Sequence, residues 1–322
     1  MEIRWRDLVI CDYEVALADG VSGRGAVVEY DLYGRGLHIA PRVLLDDPAP
    51  LGRIRRPGIV DVPATEYDAF CAAVQHRLLD LPGALAVRSA FETARSKFWS
   101  RISKLESRLN RRGAAAQLAM LTVALDDLMA LHTLNWLLPR EAAEAHLTQV
   151  FADEHAARTC LLALMVPSEP AHVVDVYAWL LRTASTGDTS AFADQKGFLQ
   201  AQGLTASPWE DPAVVARTIE QFSNAETQQA LTKLRHLHER ASQRRSDFYA
   251  AALLASSSDG AAYQRTQALA VICRLAADEE EFRKVAQQQT LRTLRKLAEQ
   301  HGRDPYELTL ADFLELAQEM PA

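Results

Sequence analysis

The segment Glu141–Met165, EAAEAHLTQVFADEHAARTCLLALM, decides how the chain is read. At about 100° per residue, Leu147, Val150, Phe151, Leu161, Leu162 and Met165 share one side of a helix, which predicts a buried face. Glu154 and Arg158 project from the middle of that face, one turn apart, with His155 at its edge. An unpaired charge in such a place costs several kcal/mol. The two side chains therefore pair with each other, reach partners on neighbouring helices, or line a wet cavity. An ordinary i,i+4 ion pair is the simpler reading and a pocket wall the sharper one.

Outward from this segment the chain reads as helical. Ala114–Leu138 carries Leu118, Leu121, Leu125, Leu128 and Leu131 in one stripe, with His132, Asn135 and Trp136 beside its end. A histidine on an apolar face is usually a satisfied core residue. After the short Leu-Pro break, however, it stands opposite the helix of Glu154, His155 and Arg158 in an antiparallel pair. Pro167-Ser168-Glu169-Pro170 then interrupts, and Ala171–Arg182 resumes with Val173, Tyr177, Leu180 and Leu181 together. A ligand pocket is expected between these three helices, with His132, Asn135, Glu154, His155, Arg158 and Tyr177 orienting its polar part and Trp136 forming an apolar wall.

Thr65 is the expected cap of a helix carrying Tyr67, Phe70, Val74 and Leu78, and a second follows through Phe91, Phe98, Ile102 and Leu105. Residues 183–212, rich in Ser, Thr, Gly and Asp, read as a surface excursion or lid. In the last third, Leu231, Leu234, His238, Ala241, Arg245, Phe248 and Ala252 form a seam, followed by helices over 261–277 and 278–301 and a short one capped by Thr309. Residues 1–62 have another texture. Valines and aromatics alternate with glycine and proline, and GAVVEYDLYGRGLHIA (Gly25–Ala40) reads as a hairpin turning at Gly34–Gly36. The expected fold is mainly α, a multi-helix bundle over 63–322 preceded by a small β-containing segment over 1–62. Neither Gly-Arg-Gly motif makes a phosphate loop, since no strand leads into a helix there and no Walker lysine follows.

Composition narrows the function classes. In 322 residues with a formal net charge of −7 there is no basic field for nucleic acid, and the local cluster Arg108, Arg111 and Arg112 is short enough to be a solvated helix end, so nucleic-acid binding is not expected. Four scattered cysteines without a CxxC pair point to buried reduced thiols. No signal peptide and no uninterrupted apolar run of membrane-spanning length is visible, so no membrane partner and a cytoplasmic location are expected.

Three passages carry a family resemblance: Leu137-Leu138-Pro139-Arg140-Glu141 with its long helix, Leu164-Met165-Val166-Pro167-Ser168, and LRKLAEQHGRDPYELTLADFLELAQ over Leu294–Gln318. In these, and over roughly residues 59–318, the chain resembles the helical middle region of phosphoenolpyruvate-utilising enzymes of the phosphoenolpyruvate synthase and rifampicin phosphotransferase type. That family's ATP-grasp and phosphohistidine domains are not matched here. Glu154-His155-Ala156 only echoes the family's glycine-rich phosphohistidine loop, so no phosphoryl chemistry transfers to His155. The resemblance implies a substrate-binding or docking subunit without a cofactor, working on a small-molecule ligand with separately made ATP-grasp and phosphohistidine proteins. The alternative is a self-contained α-helical enzyme such as a class I terpene cyclase-like protein, in which Asp126-Asp127 would hold Mg²⁺.

Overall fold

The computed structural model describes residues 2–4, 24–56, 59–109, 113–200, 205–222 and 224–318, and the protein is mainly α. Two compact units divide it: 1–138 with 290–322, and 139–289.

The first unit opens with strand β1 (Glu2–Arg4), helix α1 (Arg24–Leu45) and strands β2 (Arg53–Arg56) and β3 (Ile59–Asp61). The strands form one antiparallel sheet in the order β1-β3-β2, with Ile3 opposite Val60 and Ile54 opposite the same residue. Helices α2 (Ala64–Leu78), α3 (Leu81–Glu106), α4 (Ala114–His132) and the single turn α5 (Leu134–Leu137) follow. Helix α4 is the centre of this unit, with α1, α3 and the last helix α13 (Leu310–Gln318) packed around it. The five leucines of its predicted stripe are all buried, each contributing about 1.5–3 kcal/mol by leaving water.

The hairpin expected over Gly25–Ala40 is not present: Arg24–Leu45 is one helix. Gly36 has a different task from turning a chain. A Cβ placed on it would lie 2.3 Å from Met129 Cβ and 2.6 Å from the Met129 carbonyl carbon, so the missing side chain lets α1 lie directly on α4. Around it, Arg35 donates to Asp126 at 2.7 Å and Arg42 to Asp127 at 2.6 Å.

The second unit begins with α6 (Arg140–Phe151) and α7 (Glu154–Leu164), the pair that the sequence presented as one helix. Ala152 adopts a left-handed conformation (φ 52°) and Asp153 caps α7, its carboxylate accepting from the backbone N–H groups of His155 and Ala156. The chain reverses, and the two helices pack on one another. Helix α8 (His172–Thr186), α9 (Thr189–Gln195), α10 (Pro212–Ile219) and α11 (Asn224–Ser256) come next. Residues 183–212, expected as a surface excursion or lid, contribute to a core: Phe192, Ala193, Phe198 and Leu199 are buried against Val176, Leu180 and Val215. Helix α12 runs unbroken from Gly260 to Gln300, where a break near residue 277 was expected; it belongs to the second unit as far as Gln289. Buried His146 of α6 meets Thr266 of α12 at 3.0 Å, and burial, helped by the Arg265 charge, pushes its pKa down.

Candidate functional site

Helix α4 is apolar on nearly every side, which normally marks a fully enclosed helix or a membrane span. It is the one helix among the described residues long and apolar enough to cross a membrane, yet 61% of that stretch is buried in the fold. What remains open is distinctive. Its exposed residues are Ala116, Ala119, Met120 and Val123, which fall at i, i+3, i+4 and i+7 and so make one stripe. Met120 is 43% and Val123 54% exposed. The half-buried Asp127 closes the stripe, held by Arg42 and, at 3.7 Å, by Lys97 of α3.

That lysine fixes how α3 lies along the stripe. Helices α3 and α4 are joined by the short connection 107–113, and Lys97 of the first reaches Asp127 of the second, so they run antiparallel. At the other end the Arg108 guanidinium lies against Gly113. Between these two points, Arg101 and Lys104 occupy the same side of α3 as Lys97, at successive turns, and Arg108 follows in the turn after the helix ends at Glu106. With an equal rise of about 1.5 Å per residue in both helices, Arg101 stands level with Val123 and Lys104 with Met120 or Ala119, while Arg108 lies at the Gly113 end of α4. Lys104 and Arg108 are exposed and Arg101 is half-buried. Among the described residues, none of these three side chains has an ion-pair partner, whereas Lys97 does. The result is an apolar strip two turns long with a row of unneutralised cations along one edge.

A second polar cluster sits in the other unit, around the break at 166–172. Asp278 accepts from both the backbone N–H and the hydroxyl of Ser168, each at 2.5 Å, and Arg274 donates to the same hydroxyl at 2.6 Å. Arg245 donates to the carbonyls of Val166 and Pro167 at 2.7 and 3.0 Å. Glu281 accepts from the backbone N–H and ring Nδ1 of His172, both at 2.8 Å. The hydrogen bond from the His172 side chain holds the Glu281 carboxyl down at about 2, against burial that pushes it up. These bonds use the loop's own backbone groups, so the cluster is a clamp that fastens the chain break to α11 and α12. The one hydroxyl beside a carboxylate in this cluster, that of Ser168, is itself tied up between Asp278 and Arg274.

The residues singled out in the sequence fall in both units. His132 is buried in the first unit, its Nδ1 3.2 Å from the Asn135 amide nitrogen; the side chain of Trp136 lies outside the described residues. Glu154, His155 and Arg158 are exposed in the second unit, and so is Tyr177 at 42%. Arg158 pairs with Glu144 of α6 rather than with Glu154. The break at Ala152–Asp153 is the reason. It restarts the helical phase, so that Leu162, placed inward by a continuous helix, is 71% exposed. Burial pushes the thiols of Cys160 and Cys273 up to about 11 and about 12, which leaves them protonated and unreactive; Cys11 lies outside the described residues. Asp126 and Asp127, the pair considered for Mg²⁺, face Arg35, Arg42 and Lys97.

No family model, no curated protein and no solved structure matches this chain.

Proposed function

We propose that this protein is a non-catalytic helical docking subunit that engages a partner through the α4 stripe and the cationic edge of α3. One observation carries the reading: every fully exposed side chain of α4 is apolar, and the row beside it is charged and unneutralised. Large apolar side chains left in water at a place rimmed by polar groups mark interaction surfaces. The arginine partners of Asp126 and Asp127 favour this reading over a magnesium-dependent cyclase. The resemblance to phosphoenolpyruvate-utilising enzymes supplies the partner class, namely separately made ATP-grasp and phosphohistidine proteins, with the bound small molecule belonging to the joint assembly.

The test is a comparative affinity purification from native cells with the wild-type chain and with Met120→Glu/Val123→Glu as baits. The substituted positions are exposed, so the fold is expected to survive, which circular dichroism checks. An ATP-grasp or phosphohistidine enzyme recovered with the wild type and lost with the variant supports the proposal. Recovery of the same proteins in the same amounts with both baits refutes it.

A further inference from the structure

Resting on the docking reading, we infer that the α3/α4 face seats an amphipathic helix of a partner protein whose polar edge is acidic. The two halves of the face require both properties at once. Ala116, Ala119, Met120 and Val123 span eight residues, about 10 Å of helix from first to last. A partner helix covers that length with two turns, offering apolar side chains at i, i+3, i+4 and i+7. Ala116 and Ala119 allow its axis to approach near the lower end of the usual 8–10 Å, and Met120 is the side chain best able to adapt to whatever lies on it.

Arg101 and Lys104 on α3, with Arg108 in the turn just beyond it, run beside that stretch. Glutamates or aspartates repeating every three or four residues along one edge of the docked helix meet these cations. In a chain of net charge −7, this row is a local reversal of sign, so it selects for acid and against the like-charged edge. A second copy of the chain fits less well, because antiparallel pairing through α4 would set one cationic row against the other. An anionic membrane also fits less well. The strip exposes alanine, methionine and valine, and Trp99, the exposed aromatic of α3, projects from the side of that helix opposite the cations.

The experiment uses the full chain and two fluorescein-labelled synthetic peptides of 18 residues with identical Leu/Ala apolar faces. One carries glutamate along the edge and the other lysine. Anisotropy titrations are read at about 50 and 200 mM salt, beside co-sedimentation with phosphatidylserine/phosphatidylcholine vesicles. The inference expects the glutamate peptide to bind at least tenfold more tightly than the lysine peptide and to weaken with salt. Arg101→Glu/Lys104→Glu should reverse that preference, a gain that misfolding cannot produce, and Val123→Asp should abolish binding of both peptides. Equal binding of the two peptides, lost in Val123→Asp but unchanged in the charge-reversal variant, overturns the acidic edge while leaving the docking reading in place. Vesicle binding without peptide binding, or self-association that excludes both peptides, overturns the inference in favour of a membrane or a second copy. Binding of neither peptide overturns it as well, and leaves the docking proposal to the purification experiment.

Discussion

Replacing Gly36 by alanine tests the central packing of the first unit. Two effects of opposite sign compete. Alanine is the better helix former by about 1 kcal/mol, so at an unconstrained helical glycine the change stabilises. At Gly36 the new Cβ would lie 2.3 Å from Met129 Cβ, 2.6 Å from its carbonyl carbon and 2.8 Å from the Ala130 nitrogen. Two of these three atoms are backbone, so no rotamer change relieves the clash, and α1 must move off α4 by roughly 1 Å. Overpacking of this kind costs about 1–3 kcal/mol and sometimes more, here along the helix that also aligns Arg35 and Arg42 with Asp126 and Asp127. With the propensity gain subtracted, we therefore expect a net destabilisation of up to about 2 kcal/mol, read as a lowered urea midpoint by far-ultraviolet circular dichroism. Gly260→Ala is the control, because nothing lies within 4 Å of a Cβ there, and it should be neutral or stabilising. If Gly36→Ala matched the control, the close approach of α1 to α4 would be refuted.

Two further outcomes concern the second unit. Asp153→Ala removes the acceptor for two backbone N–H groups at the start of α7 and should lower stability by about 1 kcal/mol; an unchanged urea midpoint would mean that the cap is idle. Glu281 titrates near 2 in the folded protein against 4.5 for the free group. Its contribution is therefore complete above about pH 4.5 and disappears as the pH falls toward 2. Discounted for partial solvent exposure, it amounts to about 1–2 kcal/mol. The stability gap between wild type and Glu281→Gln should be present at pH 7 and closed near pH 2; a gap independent of pH would refute it.

The helical body was legible because leucines at α4 spacing leave little else for the chain to do. The clamp was half legible: Pro167-Ser168-Glu169-Pro170 announced a break, but its partners Arg245, Asp278 and Glu281 lie about 80–110 positions downstream in sequence, where no local pattern points to them. The misread places have specific causes. Val27, Val28 and Tyr30 have strand-forming side chains, and Gly34 and Gly36 suit a turn, yet Gly36 serves packing against Met129, a contact invisible without α4 in position. At Ala152–Asp153 the signal was present, since aspartate followed by glutamate is an ordinary helix start. It was outweighed because alanine, unlike glycine, does not advertise a left-handed residue, and the apolar positions on the two sides happen to continue in phase. That coincidence placed Glu154 and Arg158 inside, and with them the predicted pocket.

The same local logic explains why the α4 stripe escaped a sequence reading. A helix with leucines on one side and alanine, methionine and valine on the other looks enclosed all round, and only the positions of α1, α3 and α13 reveal which side stays open. Once that side is known, the composition of α3 acquires a meaning it lacked. Lys97, Arg101, Lys104 and Arg108 would pass as a solvated helix face if each were free, but Lys97 is drawn to Asp127 at the end of the strip and the other three continue its line with no acid opposite. Polar replacements for Met120 and Val123 would cost the folded chain little, since neither is buried. Their exposed apolar surface thus adds little within the chain itself, and an acidic, amphipathic partner is the kind of surface for which both the strip and the row would be useful.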